Sequence, residues 1–283
     1  MSPFGERSDP SLEEKLQARL MEIEKAFETA PEQGVDKLSE VINELTHSEN
    51  SDPELAAQIA ETISGKKYEV PPELQNRFET KIGEALLYVG NIENERFENS
   101  AEYYDGVRQR AAKKLPENIN DIPENERPPE LSEHFHATDR LADLAFLSGS
   151  YEDAASAYHA TVESRGKFKE QEQEIGPVAC AKYGEAASAF MQGDTQTCLD
   201  LIAEAKGMLA EIEDSEPTLY PNIEKLEVAA EAFDELAETE KTNRLEAIKE
   251  TLKNLGGKQG GVKRVNFQEL FDDAGPAEPN SEA

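Results

Sequence analysis

Apolar residues recur along this chain at helical spacing almost from its first positions. Leu12, Leu16, Leu20 and Ile23 fall on one helix face, and Asp9-Pro10 offers an N-cap acceptor before a proline at the first helical position. Ser51-Asp52-Pro53-Glu54 repeats that start signal ahead of Leu55, Ile59 and Ile63. Strand-like alternation of β-branched residues is missing. Every regular segment is therefore read as helix, about eleven in all. Turns are predicted near 30–34, 48–52, 65–71, 90–93, 115–129, 148–150, 193–195, 214–217 and 239–242. The four prolines of LPENINDIPENERPPE, residues 115–130, predict an ordered or semi-extended loop.

The stretch LADLAFLSGSYEDAASAYHA, residues 141–160, places small side chains at many positions. Ala142, Ala145, Ala154, Ala155 and Ala157 offer little apolar area each, so something must pack closely against them. Related signals recur elsewhere. PPELQNRF at 71–78 matches PPELSEHF at 128–135, and each leads into a helix ending at Gly90 or Gly149. Lys81-Ile82-Gly83-Glu84-Ala85 likewise parallels Lys182-Tyr183-Gly184-Glu185-Ala186 before Gly193. This frame of small residues around turn glycines resembles the tetratricopeptide repeat. The fit is closest at 138–161 and fair at 182–205, where Thr195 replaces the expected aromatic; at 80–104 only the first helix fits. Residues 11–47 and 217–255 read as further hairpins.

The resemblance implies an all-α, right-handed α-solenoid of antiparallel hairpins, tetratricopeptide-like, over residues 9–255. Tyr151 and Tyr158 would plug the space between hairpins. Residues 1–8 are expected to be disordered, and 256–283 to form a flexible tail beginning with the glycine run GGKQGG. Spacings between the turn glycines exceed the usual ~34-residue unit, so longer helices and the proline-rich insertion must absorb the excess.

Charge narrows the function classes. Sixty acidic residues stand against 29 Lys and Arg, a formal net charge of −31, with no Trp and a mean hydropathy of −0.70. The acidic excess runs the whole length of the chain, as in proteins of salt-accumulating haloarchaea, which it resembles; that implies a hypersaline cytoplasm. Such a charge repels phosphate backbones and anionic lipids over ~8 Å at physiological salt, so direct nucleic-acid or membrane binding is not expected. No apolar run approaches the ~20 residues of a membrane span, and MSPFGERSDP lacks a signal core. These point to a cytoplasmic protein. Cys180 and Cys198 are too few for a disulfide framework and lack metal-type spacing.

No catalytic motif is present: no phosphate-binding glycine loop, nucleophile elbow or Cys-x-x-Cys pair. His134 and His136, two apart on a helix, cannot share one ion. No enzyme activity, metal or cofactor is expected. The resemblance instead supplies groove positions on the first helix of each hairpin: Arg77, Glu84 and Tyr88; Asp139, Asp143 and Phe146; Tyr183 and Phe190, with His136 and Cys180 among their neighbours. Such a surface suits a hydrophobic peptide with some positive charge. In the tail, Lys263 and Arg264 precede Phe267, Leu270 and Phe271, which share one helical face. That motif has two possible destinations, the chain's own groove or a pocket on another protein; the glycine tether favours reaching outward. The expected role is a non-catalytic adaptor or scaffold for a protein partner, the alternative a ligand-sensing or transcription-related regulatory subunit acting through one. Self-repulsion should loosen this fold as salt is withdrawn: the melting point should rise between dilute buffer and concentrated KCl, and an unchanged circular-dichroism melt would refute the halophilic reading.

Overall fold

The computed structural model describes residues 11–275, apart from 48–50, 67, 90–94, 118–121, 124–125, 169–171, 211–218 and 256–260. Among the described residues all regular structure is helical, and no strand occurs. The α-helices are α1 (Leu12–Thr29), α2 (Pro31–His47), α3 (Pro53–Gly65), α4 (Pro72–Val89), α5 (Glu95–Ala112) and α6 (Pro129–Leu147). They continue with α7 (Tyr151–Gly166), α8 (Glu172–Met191), α9 (Thr195–Leu209), α10 (Leu219–Asp234), α11 (Glu238–Leu255) and α12 (Phe267–Asp273).

Local chemistry explains most of these boundaries. Ser11 caps α1: its hydroxyl accepts from the Glu14 N–H at 3.2 Å, and the Glu14 carboxylate accepts from the Ser11 N–H at 2.8 Å. The expected cap, Asp9-Pro10, lies outside the described residues. Asp52 caps α3 as anticipated, accepting from the Leu55 N–H at 3.1 Å. Two expected turns are displaced. Pro31 opens α2, which confines the first turn to Ala30, and the break placed at 239–242 falls at 235–237 because Glu238 and Glu240 form the acidic first turn of α11. The turns anticipated at 90–93 and 214–217 lie outside the described residues.

From α1 to α10 each helix packs against the next in chain order, the arrangement of an α-solenoid. The two described turn glycines close their helices identically. Gly149 and Gly193 have φ of +84° and +83°, a region that favours glycine. Their N–H groups donate to Phe146 and Phe190, and the following N–H groups, of Ser150 and Asp194, donate to Ala145 and Ala189 at 2.9 and 3.0 Å. α6, α8 and α10 also touch directly across the intervening helices, so they form one inner rank.

Small residues sit where neighbouring helices approach. Ala142, Ala154, Ala186 and Cys198 are buried completely. Gly184 on α8 lies under the Tyr158 ring of α7, where an added Cβ would stand 2.6 Å from ring carbons. Gly83 meets the Tyr104 ring of α5 in the same way, at 3.2 Å. One apolar cluster fills α1–α4, a second runs from the end of α4 to α12, and a third joins Ile122 of the proline-rich loop to Leu131 and Phe135 of α6 and to Phe168.

The hairpin expected over 217–255 does not extend the stack. α11 folds back instead: Leu245 reaches Gly193, and a cleft is lined by Leu147, Gly149 and Tyr151 on one side and Glu246, Lys249 and Lys253 on the other. No helix of the described residues is long and apolar enough to cross a membrane. Gly184→Ala should lower the unfolding free energy by about 1–2 kcal/mol through overpacking, against an intrinsic helix gain of about 1 kcal/mol. Gly207→Ala on α9, where a Cβ meets nothing, should change stability in the opposite direction; urea denaturation of both variants checks the contrast.

Candidate functional site

The inner rank carries most of the residues singled out from sequence, and it is covered. After Gly261 the chain makes a 3₁₀ turn, Val262–Arg264, and enters α12. The turn lies against α6, α8 and α10, and α12 against α10 and α11. Val262, Val265, Phe267, Leu270 and Phe271 are all buried. The expectation that this motif reaches outward to another protein is therefore corrected: its apolar face is spent on the chain's own groove. The glycine run that suggested a tether falls mainly on 256–260, outside the described residues.

Phe267 fills the centre. Its ring stands edge-on to Phe146 of α6, with centroids 6.2 Å apart, and to Phe190 of α8, 5.8 Å apart. Phe146 also meets Tyr151 at 5.2 Å, and Phe190 meets Phe233 of α10 at 5.6 Å. Tyr183 donates to the Val265 carbonyl at 3.3 Å. Burial raises the Tyr183 hydroxyl well above the ordinary phenol range, so it stays a donor. Arg244 of α11 holds the far end: its guanidinium lies 4.4 Å from the Phe271 ring centre and donates to the Phe271 carbonyl at 3.0 Å. Asn222 donates to the Lys263 carbonyl at 2.8 Å.

Asp143 anchors the root of the segment. One carboxylate oxygen accepts from the Tyr158 hydroxyl at 2.6 Å and from the Val262 N–H at 3.1 Å, and the other accepts from Arg140 at 3.2 Å. The approach requires a glycine. Gly261 has φ of +127°, and a Cβ there would sit 2.5 Å from the Asp143 carboxylate. Beside this anchor opens a cavity of about 190 Å³ lined by His136, Asp139, Arg140, Arg165 and Cys180. Arg165 donates to Asp139 at 2.6 Å and stacks over Phe135 at 4.5 Å. Burial pushes the Asp139 carboxyl up to about 6, against the opposing pull of Arg165.

Asp139, Asp143, Phe146, Tyr183 and Phe190 thus converge around the C-terminal segment. The remaining groove positions lie apart, towards α2. Arg77 pairs with Asp36 at 2.6 Å. Glu84 accepts from Lys81 at 2.6 Å and stands 3.5 Å from His47 Nε2, which also lies 3.1 Å from the Tyr88 hydroxyl. Lys263 and Arg264 lie on the 3₁₀ turn. Sequence reasoning missed Arg244 and Gly261: an arginine in a charged helix and a glycine in a glycine run carry no local signal of their roles. Both cysteines are thiols, and burial pushes Cys198 up to about 12. Among the described residues no group of three His, Cys, Asp or Glu is placed to hold a metal ion.

No family model, no curated protein and no solved structure matches this chain. The groove's own geometry must therefore carry the functional reading. Removing the ring that fills it tests whether the segment is part of the fold: Phe267→Ala should cost about 3–5 kcal/mol in urea denaturation, whereas an outward-reaching motif would lose nothing.

Proposed function

We propose that this protein is a non-catalytic interaction adaptor of tetratricopeptide-like build, whose inner groove takes a short amphipathic helix from a protein partner. The observation that supports the reading is the seat of Phe267 between Phe146 and Phe190. A groove that accepts Phe267, Leu270 and Phe271 from one short helix has the shape and chemistry for another segment of that pattern. The chain's own segment then acts as an intramolecular competitor. Short tethers give effective concentrations in the millimolar range, so a free partner at micromolar levels binds only when its affinity is higher or the root at Asp143 is loosened. The lining polar groups Tyr183, Asn222 and Arg244 bond to main-chain carbonyls of the segment, so they set its path while the aromatic pocket sets its sequence. We place this adaptor in a salt-rich cytoplasm on the strength of its charge.

The second reading, a ligand-sensing subunit acting through a partner, draws on the polar cavity beside Asp143. The two readings are compatible in one molecule, since the cavity adjoins the segment's root.

A labelled peptide of sequence 261–275 separates a replaceable occupant from a permanent one. Gly261→Ala forces a side chain against Asp143 in a strained backbone region, which loosens the resident segment while leaving the groove intact. Full-length Gly261→Ala should capture the peptide roughly tenfold more tightly than the wild-type chain in fluorescence anisotropy. Equal, weak binding by both would overturn the proposal.

A further inference from the structure

The cavity beside Asp143 has a composition at odds with the rest of the molecule. The chain carries about two acidic residues for each basic one, yet Arg140, Arg165 and Lys263 gather on this one lining against Asp139 and Asp143. The balance of charged groups is reversed here. Both aspartates are already engaged, Asp139 by Arg165 at 2.6 Å and Asp143 by Arg140, Tyr158 and the Val262 N–H. Lys263 is engaged by no carboxylate among the described residues, although its ammonium group stands in a chain rich in them. A cation left over in such a chain, at the edge of a cavity floored by two guanidinium groups, is the donor set of an oxyanion site.

The surroundings support occupancy. About 190 Å³ is room for several waters or a small organic acid. Pro177, Cys180 and Ala181 form a less polar wall, which lowers the local dielectric and strengthens ionic contacts within. His136 lines the cavity too, and its ring is packed at 6.1 Å against Tyr104, whose fully buried hydroxyl has no hydrogen-bond partner among the described residues.

We infer that this cavity binds a small anion bearing a carboxylate or phosphate group, held between Arg140 and Arg165 on the helices and Lys263 on the C-terminal segment. Because Lys263 belongs to that segment while the arginines belong to α6 and α7, the anion ties the segment's root to the groove floor. It stabilises the covered state of the groove. The site does not depend on the adaptor reading: anion binding is measured on the chain alone, with no partner or peptide present.

Titration calorimetry on the full chain, at fixed ionic strength in KCl, with inorganic phosphate in one arm and succinate in the other, tests it. Saturable heat with either anion is expected; phosphate alone assigns a phosphoryl ligand, succinate alone an organic acid, and both a general oxyanion site. Lys263→Ala should weaken binding roughly tenfold, and Arg140→Gln should weaken it at least as much. Saturation should also slow tryptic cleavage after Lys263 and Arg264, a readout that nonspecific salt stabilisation at constant ionic strength does not move. Absence of saturable heat with both anions overturns the inference, as does undiminished binding by Lys263→Ala, a change at a residue that lines the cavity and is engaged by no carboxylate among the described residues.

Discussion

A helical stack with few aromatic residues holds together only where backbones come close, and that closeness is set by single missing side chains. Gly184 beneath Tyr158 is the governing contact: it brings α7 and α8 together and delivers the Tyr158 hydroxyl to Asp143. Asp143 in turn fixes the Val262 N–H, and with it the path of the chain across the inner rank. A packing constraint between two helices is thereby converted into the position of a segment more than a hundred residues further along. Tight interiors transmit such constraints because they have little room to relax.

Charge is handled by where the cations are spent. Arg96 of α5 donates to Glu54 at 2.9 Å and to Glu61 at 2.5 Å, both on α3. Arg19 joins α1 to Glu44 of α2, Lys182 joins α8 to Glu204 of α9, and Lys206 joins α9 to Glu227 of α10. Exposed pairs of this kind contribute at most about 1 kcal/mol each. Their value lies in register: with cations scarce, each one set between two helices relieves repulsion at the place where helices must touch. The cavity at Asp143 departs from that rule by concentrating basic groups on one lining.

Local rules made much of the fold legible. Asp52 as a cap, Gly149 and Gly193 as helix terminators, and Ala142, Ala154 and Ala186 as contact points all follow from constraints within a turn or two of the residue. The groove positions Phe146, Tyr183 and Phe190 came from offsets along one helix, and they do line a common surface. What escaped the sequence depends on distant partners. Gly261 reads as one glycine among several, because composition cannot separate a flexible glycine from one that lets a carboxylate come close. The destination of Phe267 was open for the same reason: its amphipathic face states that it must be covered and leaves unsaid by what. The return of α11 was hidden by its polar surface, which has the same pattern on a continuing hairpin as on one that folds back.

The order of elements along the chain also has a consequence for biosynthesis. The cover of the groove is made after the helices that it covers, and the stretch from Phe190 to Phe267 takes about 4–15 s to translate at typical rates. During that interval the aromatic floor of a strongly charged protein faces solvent. Nascent copies, and copies cut short before Phe267, thus display a sticky strip that copies carrying the segment conceal.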